Sequence, residues 1–460
     1  MDGVHERERT GEPWVQLATL LELEEFSELQ AFLAALPPEE TARALSRLSD
    51  PEIEQTLTAI GPEHAANILD LLPHVQAAEI IEELPVAQAA AIVEELPSAG
   101  QADVLAGLSD ADAQAILEQM APPEAIQARQ LLQYDPHTAG GLMLTEYVAY
   151  PDDLTISQVV DDLRHHGERY SDYVIQYAYI VDDTGSLIGV LRLRDLLLAR
   201  RADQPIRSIM IDEPIHVSVD TELNELKRLF DEQRFVGIPV TDVAGRLVGV
   251  VRRAAVEAAL SERETRTFLR FSGLIAAEEF RTMPTHQRSY RRLSWLSINI
   301  VLNVIAASVI AFYQETLSAV IALAVFLPII SDMSGCSGNQ AVAVSIRELS
   351  IGLLKPYEYV RVIAKESAVG IINGIALGLL LGAVAVAWKG NLMLGLVVGG
   401  ALAANTLLAV MLGGSLPLAL KSLRLDPALA SGPILTTVTD MCGFLMVLGF
   451  ASLALSWLTA

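Results

Sequence analysis

The sequence predicts a multidomain fold: an all-α solenoid, an α/β pair of duplicated modules and an α-helical transmembrane domain of five spans. Three observations lead there. A hydrophobic content of 52% and a mean hydropathy of +0.37 coexist with a net charge of −25, so charge and apolar residues are segregated along the chain. An apolar pair returns every twelve positions early in the chain, and a β-rich segment recurs sixty residues after its first copy.

The membrane part is read from runs without charge. Leu293 to Gln314, Ser367 to Trp388 and Gly390 to Leu420 are uncharged and long enough to cross a bilayer as helix. Thr316 to Ile346 is interrupted only by Asp332, and Pro427 to Ala460 only by Asp440, which makes five spans. Arg281, Arg288, Arg291 and Arg292 precede the first span; Arg347, Lys355, Arg361 and Lys365 separate the second and third; Lys421 and Arg424 separate the fourth and fifth. By the positive-inside rule these segments are cytosolic, which puts the N-terminus inside and the C-terminus outside a cytoplasmic membrane. The polar start, MDGVHERERTGEPW, lacks the apolar core of a secretory signal. From Leu293 onward Lys/Arg and Asp/Glu balance at seven each, so the net negative charge belongs to the upstream part. An acidic surface attracts cations and repels phosphate backbones, which excludes nucleic acid as the expected partner. Cys336 and Cys442 are the only cysteines, and both fall in the membrane part, so no disulfide framework is implied.

In residues 32 to 122 one column of the twelve-residue repeat reads Leu33, Leu45, Leu57, Leu69, Ile81, Val93, Leu105 and Leu117. A second reads Leu36, Leu48, Ile60, Leu72, Leu84, Leu96, Leu108 and Met120, and the position after it is mostly a breaker or cap: Pro37, Ser49, Gly61, Pro73, Pro85, Pro97, Ser109, Ala121. Each unit is a short helix and a turn that cannot bury its apolar face alone, so the units must stack. Glu82, Glu83, Glu94 and Glu95 then belong to a solvated face.

After Tyr134 the pattern becomes β-α. Tyr177 to Leu197 (YAYIVDDTGSLIGVLRLRDLL) is repeated as Val236 to Val256 (VGIPVTDVAGRLVGVVRRAAV), with Gly185 and Gly189 matching Gly245 and Gly249. Each copy reads as strand, Gly turn, strand, helix. The pair resembles CBS modules, which implies a regulatory unit and an adenosine nucleotide such as ATP, with Asp195 at the ribose; the second copy has Ala255 there.

Carboxylates inside a span mark an ion pathway by default, because a charge is costly in lipid. Asp440 lies in TTVTDMCG among Thr436, Thr437 and Thr439, at a depth near the middle of its span. Asp332 lies in LPIISDMSGCSGNQ, where Pro328 and the small residues Ser331, Ser334, Gly335, Ser337 and Gly338 are expected to loosen the helix. Freed carbonyls and the amides of Asn339 and Gln340 would then face a hydrated cation. Mg²⁺ keeps much of its water shell, so few carboxylates and several neutral oxygens suit it.

The order of solenoid, CBS pair, linker helix and five spans, with SGCSGNQ in the second span and TDMCG in the fifth, resembles the MgtE magnesium channel family across almost the whole chain. The resemblance implies a homodimer whose subunits form the pore between them, hydrated Mg²⁺ at Asp440, and closure when the cytosolic domains bind Mg²⁺. Glu225, Asp231 and Glu232 are the candidates for regulatory metal. The boundaries read as 1–31 for a polar segment, 32–133 for the solenoid, 134–260 for the CBS pair, 261–292 for the linker helix and 293–460 for the pore. Three departures concern the lining: Cys336 stands where the family has an amide, Gly432 precedes Pro433 where Asn is common, and Asp332 replaces a small residue. In Val251 to Phe271, Ala254 and Ala255 replace acidic residues, and the arginines there are expected to pair with solenoid carboxylates, weakening Mg²⁺ sensing.

Two other readings compete. Soft thiolates at Cys336 and Cys442 favour Co²⁺ or Zn²⁺ in the same architecture. Two intramembrane aspartates sharing a proton would suit an aspartyl protease, but the chain lacks the G-x-G-D motif of such enzymes. If the cysteines only pack, Cys336→Ser leaves the ratio of Mg²⁺ to Co²⁺ flux in liposomes within a few-fold; a much larger fall in Co²⁺ flux shows thiolate ligation.

Overall fold

The structure is a computed structural model, and it describes residues 12–459 apart from Glu24, Ser46, 168–169, 171–175 and 275–284. The start of the expected N-terminal segment, Arg281 and the middle of the expected linker helix therefore lie outside the described residues. The chain forms two compact units, Met1–Glu262 and Arg263–Ala460.

The solenoid follows the repeat. Helices Pro38–Leu45, Asp50–Ile60, Pro62–Leu69, His74–Glu82, Val86–Glu94, Ser98–Gly107, Asp110–Gln119 and Pro122–Leu131 succeed one another with turns of one to four residues. Pro73, Pro85 and Pro97 each sit at the N-cap, where proline's fixed φ and missing N–H cost nothing. At Ser49 the cap is a reciprocal box with Glu52, whose carboxylate takes the Ser49 backbone N–H at 2.7 Å. Most helices pack on the helix after next, as in a stacked superhelix. All eight residues of the first apolar column are buried, and the second column lines the same core. At about 1.5–3 kcal/mol per buried aliphatic side chain, these columns are what holds the repeats together.

The CBS pair contains two four-stranded sheets, ordered β2-β3-β4-β5 and β1-β8-β7-β6. The strands are β1 Met143–Leu144, β2 Val148–Pro151, β3 Tyr177–Val181, β4 Leu187–Arg192, β5 Ile211–Asp212, β6 Val217–Ser218, β7 Gly237–Thr241 and β8 Leu247–Arg252. Both copies are antiparallel hairpins followed by a helix, as the repeat predicts. The hairpin turns need a positive φ, met by Gly185 at +80° and Gly245 at +78°. Asp182 and Asp242 close the turns by accepting backbone N–H groups of Thr184 and Ser186, and of Ala244 and Arg246. These bonds favour the ionised form and hold both carboxyls below their usual range, through the Thr184 hydroxyl first in one case and the Arg246 amide first in the other. The two turns also bond each other: Leu187 N donates to Gly245 O, and Leu247 N to Gly185 O, both at 3.1 Å. β1 and β5 each cross to the other module's sheet, so neither module is complete alone.

Among the described residues, the second unit has five helices long and apolar enough to cross a membrane. Span 1 is Thr285–Phe312, span 2 Leu327–Ser350, span 3 Tyr359–Lys389, span 4 Leu392–Ser422 and span 5 Pro427–Leu453. The stretch before span 2 departs from the single span expected over Thr316 to Ile346: a short helix, Gln314–Ala319, and a 3-10 turn, Ile321–Val325, precede it. Pro328 does not loosen span 2. It stands in the first turn, where a missing N–H leaves no bond broken, and the helix then runs unbroken through Ser331–Gly338. The carbonyls expected to be free there remain within a regular helix.

Spans 3 and 4 form a hairpin closed by glycine. Gly390 ends span 3 in the left-handed conformation (φ +69°), and the Asn391 side chain caps span 4 by accepting Leu394 N–H at 3.1 Å. Gly370, Gly374, Gly378 and Gly382 face Leu407, Ala403, Gly399 and Gly395, backbone against backbone. A Cβ at Gly378 would lie 2.5 Å from the Gly399 carbonyl oxygen. Such contact replaces hydrophobic drive, which is absent between helices in lipid, with dispersion and weak polar attraction. Gly378→Val is expected to destabilise the unit by about 1–3 kcal/mol through overpacking, read as a lower thermal midpoint of detergent-purified protein; an unchanged midpoint would show that the helices do not meet there.

Candidate ion pathway

Spans 2 and 5 meet at Asp440. Ser331 donates its hydroxyl hydrogen bond to Asp440 Oδ1, and Asp332 is the next residue of span 2. Ser331 is counted only among small residues in the sequence reading; its role depends on a partner 109 residues away.

Span 2 has two faces. Ser334, Gly335, Ser337 and Gly338 are buried, whereas Asp332, Cys336 and Gln340 recur every fourth position on an exposed stripe. Gly338 marks the crossing with spans 4 and 5: a Cβ there would meet the Leu435 side chain at 2.9 Å and the Ala409 carbonyl at 3.0 Å. Nothing lies near Gly335 in this sense, so it opens space without closing a contact. Asn339 Oδ1 is buried without a hydrogen-bond partner among the described residues.

The threonines around Asp440 turn their hydroxyls to their own helix. Thr436 donates to Gly432 O at 3.1 Å, Thr437 to Pro433 O at 2.7 Å and Thr439 to Thr436 O at 3.0 Å. Thr439 is fully buried, while Thr436 and Asp440 are half-buried. Gly432 is likewise partly open, with room where a side chain would stand.

Elsewhere the candidates separate. Asp195 lies in the helix Leu193–Leu198, with its carboxylate held by Arg192 and 3.7 Å from Arg194. Glu225, Asp231 and Glu232 lie on the helix Leu223–Glu232; Glu225 pairs with Arg228 at 3.1 Å and Asp231 with Lys227 at 2.7 Å. Among the described residues no group of three or more His, Cys, Asp or Glu side chains is placed to hold a metal ion. Two arginines expected to meet the solenoid bond elsewhere. Arg253 donates to the carbonyls of Phe230, Gln233 and Phe235, and Arg270 pairs at 2.8 Å with Asp426, whose other oxygen caps span 5 by accepting Ala428 N–H. Three carbonyls converging on one guanidinium, and a carboxylate already fixed at a helix cap, suit the planar fork of an arginine.

A family model described as a divalent cation transporter matches residues 327–450, one described as the MgtE intracellular N domain matches 20–137, and the CBS domain model matches 139–202 and 206–262. The magnesium transporter MgtE of Thermus thermophilus is 33% identical over 343 residues, 74% of this chain and 75% of that protein. The magnesium transporter MgtE of Bacillus subtilis is 31% identical over 336 residues, 73% of this chain and 74% of that one. The chain belongs to the MgtE family. Among solved structures, the cytosolic domain of the Mg²⁺ channel MgtE in complex with ATP superposes with a TM-score of 0.50 at 31% identity, covering 54% of this chain and 99% of that one. The soluble part of a magnesium transporter superposes with the same score at 23% identity and shows the same fold.

MgtE proteins are transporters, so the protease reading falls away, and the relatives' names favour magnesium over cobalt or zinc. The geometry agrees with the first point: Asp440 takes its hydrogen bond from a serine, whereas an acid-base pair needs the two aspartates to share a proton. A hydrogen bond to a charged group contributes about 1.5–3 kcal/mol, and at a half-buried site the lower figure applies. Ser331→Ala is therefore expected to raise the half-saturating cation concentration for flux about tenfold, with no loss of folded protein; an unchanged value would show that the serine does not orient the carboxylate.

Proposed function

We propose that the chain carries Mg²⁺ across the cytoplasmic membrane, with its N-terminus in the cytosol and its C-terminus outside. Asp440 holds the ion, and Asp332 adds a second negative charge on the same path. The observation that carries this reading is the hydrogen bond of Asp440 with Ser331, the residue before Asp332, at a partly open face of the membrane unit. A carboxylate facing lipid is costly, so that face is one to be covered by protein and water. The homodimer implied by the family resemblance covers it with a second copy: the stripe Asp332, Cys336, Gln340 then lines half a pore, with Gly335 and Gly338 behind it and Asn339 and Thr436 beside it.

In this reading the solenoid and the CBS pair gate the pore, and a nucleotide binds the CBS pair. Two observations support the nucleotide. A solved relative of the cytosolic part holds ATP, and this chain has a cavity of about 560 Å³ lined by Gln176, Tyr177, Tyr179 and Arg252. Glu63, Asp70, Glu94, Glu95 and Glu146 line it too and would repel bare phosphates, so ATP enters with its metal. Asp195 is not part of that lining, and a ribose contact there requires Arg192 to release it.

Asp440→Ala is expected to abolish Mg²⁺ uptake into liposomes while the protein remains folded. Undiminished uptake by that variant would remove the central claim.

A further inference from the structure

Asn405 supplies the amide of span 4, and it is fully buried. Its Nδ2 donates at 3.0 Å to the backbone carbonyl of Thr439, which is itself fully buried and immediately precedes Asp440. The orientation of the amide is fixed by chemistry, since only the NH₂ end can donate to a carbonyl. Its Oδ1 has no partner among the described residues. One turn further along span 5, Gly443 leaves the space the amide occupies: a Cβ there would stand 2.7 Å from Asn405 Nδ2 and 3.5 Å from its Cγ.

We infer that Asn405 is a positioning residue for Asp440, acting through the Thr439 carbonyl, with Gly443 as the vacancy that admits it. This inference rests on the reading of Asp440 as the ion-holding residue. A leucine would fill the same volume without burying an unpaired carbonyl oxygen, so packing alone does not favour the amide. The hydrogen bond is made to the main chain, and it sets both the height and the rotation of the Thr439–Gly443 turn on span 4. The Asp440 side chain is then directed to Ser331 of span 2, so the carboxylate is fixed by two neighbouring spans, through its backbone on one and its side chain on the other. Gly443 in the fifth-span motif is explained by the same contact.

The test is Mg²⁺ uptake by the full chain in liposomes. Asn405→Ala is expected to raise half-saturating Mg²⁺ about fivefold with maximal uptake largely kept, the loss of a modest hydrogen bond. Gly443→Ala, which drives the amide off its carbonyl, is expected to do the same when Asn405 is present. In the Asn405→Ala background it should add less than about twofold, because the two sites share one interaction. Additive effects would overturn the inference, as would an Asn405→Ala protein whose thermal midpoint falls while half-saturation stays within twofold, the mark of packing alone. Should Gly443→Ala fail to fold, Asn405→Ala and the double variant still decide: half-saturation equal within about twofold supports the contact, and a larger gap overturns it. Uptake that survives Asp440→Ala would sink the pore reading, whereas lost coupling between positions 405 and 443 sinks only this one.

Discussion

Everything in the membrane unit depends on how closely its backbones approach. Lipid offers no hydrophobic drive between helices, so cohesion must come from contact area and from polar groups that find partners across the gap. Glycine supplies both. At Gly378 against Gly399 and at Gly413 against Gly338 a main-chain oxygen fills the place of a side chain. Once the backbones are that close, short polar side chains can reach the neighbouring helix: Ser345 bonds the Gly414 carbonyl at 2.8 Å, Asn405 the Thr439 carbonyl, and Ser331 the carboxylate of Asp440. A charged group held by a serine on the next helix is placed without the long flexible arm that a lysine or arginine would need.

What was legible in the sequence was what repeats or what is contiguous. The leucine columns of the solenoid survive as core because each unit of twelve residues is its own local statement, with Pro73, Pro85 and Pro97 marking where each helix starts. The duplicated glycine turns at Gly185 and Gly245 were readable for the same reason. Asp332 and Asp440 stood out because a charge in an apolar run needs no partner to be noticed. The contacts that position them were not readable. Asn405 looks like an ordinary polar interruption until Thr439 and Gly443 are brought against it, and the glycines of span 3 gain meaning only with span 4 beside them. The expectation at Pro328 fails for a different reason: the effect of a proline depends on its position, and in the first turn of a helix its missing N–H breaks no bond.

The cytosolic unit meets a different constraint. Its negative charge has to coexist with compact packing, and it does so by giving carboxylates local work. Glu52 and Asp112 engage the cap serines, Asp182 and Asp242 close turns, and Glu146 takes the backbone N–H of Ser98 at 2.8 Å while its second oxygen takes the Ser98 hydroxyl. An acid that caps a helix start opposes the partial positive charge of the exposed N–H groups, so it lowers repulsion without needing a cation. The acids lining the cavity beside Tyr177 are the contrast: five carboxylates share that wall with one arginine, Arg252.

The same contrast bears on the ion that the pore takes. Asp440 has a serine donor, a hard oxygen, while Cys336 shares the exposed stripe with Asp332 one turn away. On the proposed path, Asp332 deepens the attraction for any divalent cation. The threonine hydroxyls are bonded to their own helix, so on the proposed path they would offer lone pairs to a hydrated ion's water and would not strip it. The path proposed here, with two carboxylates and neutral oxygens in reserve, would favour an ion that keeps its water, as Mg²⁺ does.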